Sequence, residues 1–350
     1  MRIVVTGATG NVGTSVLDSL AGDERVTEIV GIARRLPAGP APAKTTWVRA
    51  DVTSDDLRPH FLGADVVIHL AWAIQPSRDR ERTRRVNVEG SRRVFAATAE
   101  AGVPALVHAS SVGAYSPAGA EDAPVDESWP TGGISSSFYS VDKSECERLL
   151  DETEAAHPEL RVVRLRPALI FKREAGSEIR RLFAGPLLPK RIVKPGMLPV
   201  LPWIRGLRVQ TVHSDDVGDA YRLAALGEAR GAFNIAATPI LDGPTVARLA
   251  GARLLELPYP LVRIAADASW LLRLQPTPAG WVDMGTSVPM LASGKARDEL
   301  GWEPRHDARE TFVELLEGIA EGAGERTPPL TSDDPLLGRI EELVRGTPRP

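Results

Sequence analysis

Tyr139 and Lys143 stand four residues apart in the stretch Ser137–Leu150, which reads as a helix, so both side chains project from one face. A phenol ordinarily ionises near pH ~10. An adjacent ammonium favours the phenolate and lowers that value. A phenol so placed can pass a proton to or from a carbinol oxygen. Ser111 follows the apolar run Ala105–Ala109 and Ser110. Its hydroxyl would bond the same oxygen and hold it in line for reaction.

A hydride partner is supplied by the stretch Thr6-Gly7-Ala8-Thr9-Gly10-Asn11-Val12-Gly13. Arg2–Val5 before it reads as a buried strand, and Val12, Val16, Leu17 and Leu20 after it recur at helical spacing. Glycines at such a strand-to-helix turn suit a dinucleotide. Gly7 permits the tight turn, Gly10 lets the backbone approach a pyrophosphate, and Gly13 lets the helix pack on the strand. The helix N-terminus then faces the phosphates. About 20 residues further on, an NAD site places a carboxylate on the ribose. Here Ala33 stands there, followed by Arg34 and Arg35. Two guanidiniums suit a 2′-phosphate, so NADP is the expected cofactor and NAD the alternative.

The elements that position these groups alternate in type. Strands are expected at Thr27–Ala33, Thr46–Ala50, Asp65–Leu70 and Ala105–Ala109, and a long helix at Asp79–Ala101. Such alternation implies an α/β fold, a Rossmann-type doubly wound parallel sheet. Asp51, Ala71 and Ser111 would then share the carboxyl edge, where ligands bind. A smaller, interleaved substrate-binding part is expected over 172–321, after a dinucleotide domain over 1–171 with returns to the sheet near Arg208–His213 and Ala232–Ile235. Residues 322–350 read as a loose tail with one short helix at Arg339–Val344.

Composition narrows the function. The 350 residues carry 42 Lys and Arg against 46 Asp and Glu, a net charge of −4, so nothing argues for nucleic acid. The single cysteine, Cys146, excludes an internal disulfide framework and fits a reducing cytoplasm. The chain opens directly on its first strand, so no signal peptide is expected. The apolar stretch Leu261–Leu274 is broken by Arg263, Asp267 and Arg273, so no membrane span is expected. No His, Cys or Asp spacing suggests a metal. The expected partner is a small-molecule substrate, with a homodimer left open. His69, His213 and Cys146 read as packing residues, with a helix cap at Ser214 or Asp215. Trp203, Trp270 and Trp281 read first as core and lid packing, and second as the lining of an apolar pocket.

Taken together, these residues resemble the extended short-chain dehydrogenase/reductase family, the group that contains sugar-nucleotide epimerases and dehydratases. The resemblance covers most of the chain. Thr6–Gly13 is similar to its glycine turn and Asp51-Val52 to the pair it places near the adenine. His69-Leu70-Ala71-Trp72 resembles its H-L-A-A segment, with Trp72 in place of a small residue. Val86-Asn87-Val88-Glu89-Gly90 is similar to its V-N-x-x-G, which implies a buried supporting role for Asn87. Ser110-Ser111 with Tyr115 resembles S-S-x-x-x-Y, and Tyr139-x-x-x-Lys143 its catalytic pair. Arg166-Pro167-Ala168 resembles the strand end beside the nicotinamide. Val212–Val217 and Leu300-Gly301-Trp302-Glu303-Pro304 resemble two later motifs. The resemblance implies catalytic roles for Ser111, Tyr139 and Lys143. It implies cofactor contacts at Gly7, Thr9, Gly10, Asn11, Val12, Gly13, Asp51, Val52, Leu70, Ala71, Trp72, Asn87, Tyr139, Lys143, Pro167 and Ala168. One departure matters: Ala168-Leu169-Ile170-Phe171-Lys172 stands where nucleotide-sugar enzymes usually carry Asn and Gly. Three functions follow, in order of preference: an NADP-dependent oxidoreductase of a small carbonyl or alcohol, an epimerase or dehydratase of an activated sugar, and a non-catalytic dinucleotide sensor.

Overall fold

The computed structural model describes residues 1–75, 78–119, 123–184 and 193–332. Its strands, in chain order, are β1 (Arg2–Thr6), β2 (Glu28–Ala33), β3 (Thr45–Arg49), β4 (Val66–His69), β5 (Ala105–Ala109) and β6 (Arg161–Pro167). There follow β7 (Leu169–Phe171), β8 (Val200–Ile204), β9 (Arg208–Val209), β10 (Thr211–His213), β11 (Gly231–Ile235), β12 (Leu241–Asp242) and β13 (Arg253–Leu257). Seven of them form a parallel sheet in the order β11-β6-β5-β4-β1-β2-β3. Val66, Val67 and Ile68 in β4 are wholly buried, as a parallel strand covered on both faces requires. One apolar cluster on one face joins β1, β4 and β5 to the helices Asn11–Ala21 and Ser214–Leu226; another on the opposite face contains Phe61, Phe95, Leu149 and Leu150. The strand order changes direction between β1 and β4, so a crevice opens beside the glycine turn.

The helices Asn11–Ala21 and Ser214–Leu226 lie very close. A Cβ on Gly218 would come within 2.6 Å of the Ser15 carbonyl oxygen, and Ser15 Oγ donates to Asp215 Oδ1 at 2.7 Å. The two late motifs meet here, because Trp302 is buried and its Nε1 donates to the Asp216 carbonyl at 2.8 Å. The cap of this helix falls one residue earlier than expected: His213 Nδ1 accepts from Asp215 N at 3.2 Å.

Arg208–His213 does not return to the central sheet. Gln210 divides it, with its side chain fixed on the backbone of Leu291, so β9 pairs with β12 and β10 with β7. β11 does return, at the sheet edge. The start of the expected loose tail is held: Lys172 Nζ donates to Glu325 Oε1 at 2.6 Å, and Arg181 donates to the carbonyls of Pro329 and Thr331. The helix expected at Arg339–Val344 lies outside the described residues. The helix expected over Asp79–Ala101 is continuous but not uniform. Arg80–Arg84 and Gly90–Glu100 are α-helical, and Arg85–Glu89 between them is a π turn.

Candidate active site

The glycines of the turn differ in what they allow. Gly7 has φ +72°, and a Cβ there would meet Ala71 N at 2.6 Å, so the residue serves both the turn and the close passage of the chain leaving β4. A Cβ on Gly13 would lie 2.5 Å from the Gly7 carbonyl oxygen, which ties the helix to the turn. A Cβ on Gly10 would meet only that oxygen, at 3.6 Å. Space beside Gly10 is therefore open, and Gly10 is also the residue capping the helix. No acidic residue lies in the first turn, so the positive helix end keeps its field. Thr9 is buried, Val12 packs against the core, and Asn11 Nδ2 donates to the Ile170 carbonyl at 3.4 Å. Asn11 Oδ1 is shielded and lacks a protein partner. A dinucleotide pyrophosphate fits this cradle.

Arg34 and Arg35 follow β2 directly, at the carboxyl edge. Burial first, and then the neighbouring Arg34 charge, lower the pKa of Arg35. Asp51 is engaged within its own turn, accepting from Thr53 N at 2.9 Å and Thr53 Oγ1 at 2.7 Å. Val52 is buried against Gly90. Leu70 N donates to the Thr6 carbonyl, which carries the chain past Gly7 into Ala71 and Trp72.

The helix Phe138–Ala156 begins at Ser137, whose side chain caps it. It brings Tyr139 to the end of β5. Ser111 caps the short turn Val112–Ala114 and accepts from Gly113 N at 3.0 Å, with its hydroxyl near the Tyr139 phenol. Gly113 is needed for the approach, since a Cβ there would lie 2.9 Å from Tyr139 Cε1. Lys143 is buried and donates to the Ala109 carbonyl at 2.6 Å, with Nζ 3.4 Å from the Trp72 ring centre. The structure corrects the expected electrostatics. Burial raises the Tyr139 pKa, and the nearby Ser111 hydroxyl pulls it back. The Lys143 ammonium sits on the indole of Trp72 and is 5.8 Å from the Tyr139 ring centre. Burial pushes Lys143 itself down to about 8.

Asn87 ties three elements together. Its side chain accepts from Ala73 N at 2.7 Å, donates to the Ala73 carbonyl at 3.0 Å, and donates to Asp142 Oδ2 at 3.3 Å. Asp142 is buried and receives Arg80 on both oxygens, at 2.9 and 3.1 Å. Cys146 is buried against the Asn87 carbonyl, and burial pushes its thiol up to about 12. His69 is likewise a satisfied packing residue, bonded to Thr6 at 2.7 Å and Ser91 at 2.9 Å, with burial holding it near 3.

Sequence reasoning missed Glu147. This buried carboxylate accepts from Arg166 Nε at 2.8 Å and Nη2 at 2.9 Å, from Arg164 at 3.1 Å, and from Ser110 Oγ at 2.5 Å. Burial alone would raise its pKa; the Arg166 hydrogen bonds and charge, with Arg164 and Ser110, overcome this and hold it at about 2. Arg166 also reaches Tyr115 Oη at 3.0 Å, and Tyr115 donates to Asn234 at 2.7 Å. The cluster fixes the ends of β5 and β6, from which Ser111, Pro167 and Ala168 emerge. Ala168 is buried, its N–H on the Ile235 carbonyl at 2.9 Å. Trp281 also emerges as a neighbour of Tyr139, with ring centres 5.0 Å apart. Trp203 is structural, donating to the Leu207 carbonyl at 2.9 Å.

A turn shaped for pyrophosphate and a Ser–Tyr–Lys group thus share one sheet edge. The profile of the NAD dependent epimerase/dehydratase family matches residues 3–236. The chain belongs to that family. An uncharacterized protein of Mycobacterium tuberculosis is 28% identical over 333 residues, 93% of this chain and 31% of that protein. The chain thus spans about a third of the length of the Mycobacterium proteins it matches in this way. UDP-glucose 4-epimerase of Azospirillum brasilense is 27% identical over 338 residues, 89% of this chain and 90% of that protein. The structure of Thermus thermophilus UDP-glucose 4-epimerase in complex with NAD overlays with a TM-score of 0.66 at 20% identity, covering 91% of this chain and 99% of that one. That likeness is one of fold. Family members depend on a nicotinamide dinucleotide by the family's own description. Among the described residues, no helix is long and apolar enough to cross a membrane.

Proposed function

We propose that the chain is an NAD(P)-dependent oxidoreductase acting on a carbonyl or secondary alcohol of a small molecule. The observation that carries this reading is the meeting of Ser111 and Tyr139 at the carboxyl edge of β5, where Gly113, bonded to the Ser111 hydroxyl, packs on the Tyr139 ring, with Lys143 one helical turn beyond and bonded to the Ala109 carbonyl. A bound nicotinamide supplies the hydride chemistry. The chain's residues do the rest. Ser111 holds the substrate oxygen, and the Tyr139 phenol moves the proton at that oxygen. Lys143 contributes an ammonium whose pKa burial lowers to about 8, and it would hold the ribose hydroxyls of the bound cofactor. Asn87 positions Lys143 indirectly, through Ala73 and Asp142. A dinucleotide sensor has no need of this relay.

NADP is the preferred cofactor, on the strength of Arg34 and Arg35 at the end of β2 and the absence of an acid at Ala33. The relatives crystallised with NAD make NAD the alternative. The epimerase reading draws on the 27% identity to the Azospirillum UDP-glucose 4-epimerase. Against it stands Ala168-Leu169 after Pro167, where nucleotide-sugar enzymes usually carry Asn and Gly. Cofactor turnover separates the two, since an epimerase consumes no net NADPH. The deciding variant is Tyr139→Phe, which keeps the ring and removes the proton. Turnover of NADPH with a carbonyl panel is expected to fall at least ~100-fold while cofactor binding survives. Near-normal turnover would remove Tyr139 from the mechanism.

A further inference from the structure

The substrate oxygen must reach the Tyr139 hydroxyl, so the surroundings of that ring describe the substrate. They are aromatic. Trp281 lies 5.0 Å from Tyr139, tilted by 39°, and Trp72 approaches edge-on at 5.8 Å. Phe183 and Phe138 meet Trp281 edge-on at 4.9 and 6.2 Å. These rings come from separate parts of the chain: the segment after β4, the Tyr139 helix, the turn Arg180–Ala184 and the helix Gly280–Ser287.

The wall is built and held. A Cβ on Gly280 would lie 2.2 Å from the Ser136 carbonyl oxygen, so the Trp281 helix lies hard against the start of the Tyr139 helix. Asp283, in the same helix as Trp281, accepts from Tyr259 Oη at 2.7 Å and Arg263 Nε at 3.0 Å. Gln75 Nε2 bridges the carbonyls of Leu182 and Pro276, at 2.9 and 3.2 Å, and Thr277 Oγ1 donates to the Phe183 carbonyl at 3.3 Å. Among the described residues, three nearby cations already have protein partners. Arg80 is bidentate on Asp142, Arg263 is on Asp283, and Arg78 lies over Trp270 and donates to its carbonyl. A diphosphate calls for charged donors, whereas these surfaces offer aromatic faces.

Resting on the oxidoreductase reading, we propose that the substrate carries an apolar, unphosphorylated ring next to its reacting carbon, and that Trp281 and Trp72 hold that ring beside Tyr139. The ring would add an aromatic contact to the apolar area it buries. Trp281 is then a specificity residue, since its face distinguishes a ring-bearing ketone from a small aliphatic one.

The test compares three probes, 2-tetralone, 2-butanone and UDP-glucose, with the full chain. Binding is read by calorimetry in the presence of NADP, and turnover by NADPH absorbance. For UDP-glucose, epimerised product is also measured. The expected result is a kcat/KM for 2-tetralone at least ~10-fold above that for 2-butanone, with no binding of UDP-glucose. Trp281→Ala should lower the tetralone-to-butanone ratio by roughly tenfold or more, and Trp281→Phe should restore most of it. Cofactor affinity measured alongside reports that each variant is folded. Binding of UDP-glucose without binding of 2-tetralone overturns the proposal, as does an unchanged ratio in folded Trp281→Ala. Binding of 2-tetralone that is lost in Trp281→Ala, but without hydride transfer in the wild type, supports the ring site and refutes the oxidoreductase reading instead.

Discussion

Glu147→Gln tests whether the buried charge cluster holds the site together. The substitution keeps the shape and removes the charge that two buried guanidiniums share. The amide nitrogen would then face the N–H groups of Arg166 or Arg164 where a carboxylate oxygen now accepts at 2.8 to 3.1 Å. A carboxyl held at about 2, against an ordinary value of 4.5, corresponds to roughly 3 kcal/mol in favour of its charged form. Breaking a buried pair by removing one partner costs about 3–5 kcal/mol, which brackets the same figure. The sign follows from the direction of the shift. The pKa is depressed in the folded chain, so the stabilisation is complete above pH ~4.5 and lost as pH falls toward ~2. Urea unfolding followed by tryptophan fluorescence should place the variant about 3–5 kcal/mol below wild type at pH 7. The gap should narrow as the pH is lowered below the ordinary carboxyl range. Because Ser110 hangs on the same carboxylate, turnover should also fall while Ser111, Tyr139 and Lys143 remain intact. A loss under ~1 kcal/mol that does not vary with pH would refute the reasoning, placing Glu147 among the weak surface pairs.

The remaining predictions concern cofactor and relay. Gly10→Ala should leave thermal stability near wild type and weaken dinucleotide binding, whereas Gly13→Ala should damage both, because its Cβ would strike the Gly7 carbonyl; parallel melting and cofactor titration separate them, and equal stability of the two variants counts against the reading. Arg34→Ala with Arg35→Ala should weaken NADP roughly tenfold to a few hundredfold and leave NAD nearly unchanged, as expected for losing charged hydrogen bonds; equal weakening of both in a titration makes NAD the better assignment. Lys143→Met should reduce turnover yet stabilise the unliganded chain by about 1–3 kcal/mol at pH 7, since the folded state carries a buried ammonium held at about 8 instead of 10.5. That destabilisation is present below pH ~8 and gone above pH ~10.5, so unfolding curves of variant and wild type should converge at alkaline pH.

The features legible in the sequence were those with short-range signatures. The strands around Val4, Val67 and Leu106 are continuous apolar runs, and both the glycine turn and the Tyr139–Lys143 spacing lie within single local windows. Contacts over long separations left no such mark. Glu147 reads as an exposed helical acid until β6 brings Arg164 and Arg166 beside it. Those arginines, with Arg161, sit in a wholly buried strand that polarity alone would call exposed. Trp281 and Tyr139 are joined only by the packing of two distant helices. The burial that raises the Tyr139 pKa is likewise a product of distant packing, and so is the seat of the Lys143 ammonium on Trp72, a residue of another element.

The π turn at Arg85–Glu89 works as a phase shifter. One extra residue in a helix displaces everything beyond it by about 100°. Upstream of the turn, Arg80 meets Asp142, and Arg84 meets Glu145. Downstream, Val94 and Phe95 are seated in the core. A regular helix would offer one stripe to both neighbours and align with only one of them. Deleting a single residue anywhere in 85–89 would therefore swing the Arg80–Arg84 end out of step with the Tyr139 helix while the sheet side stayed seated. The relay would be detuned without a change to any relay residue.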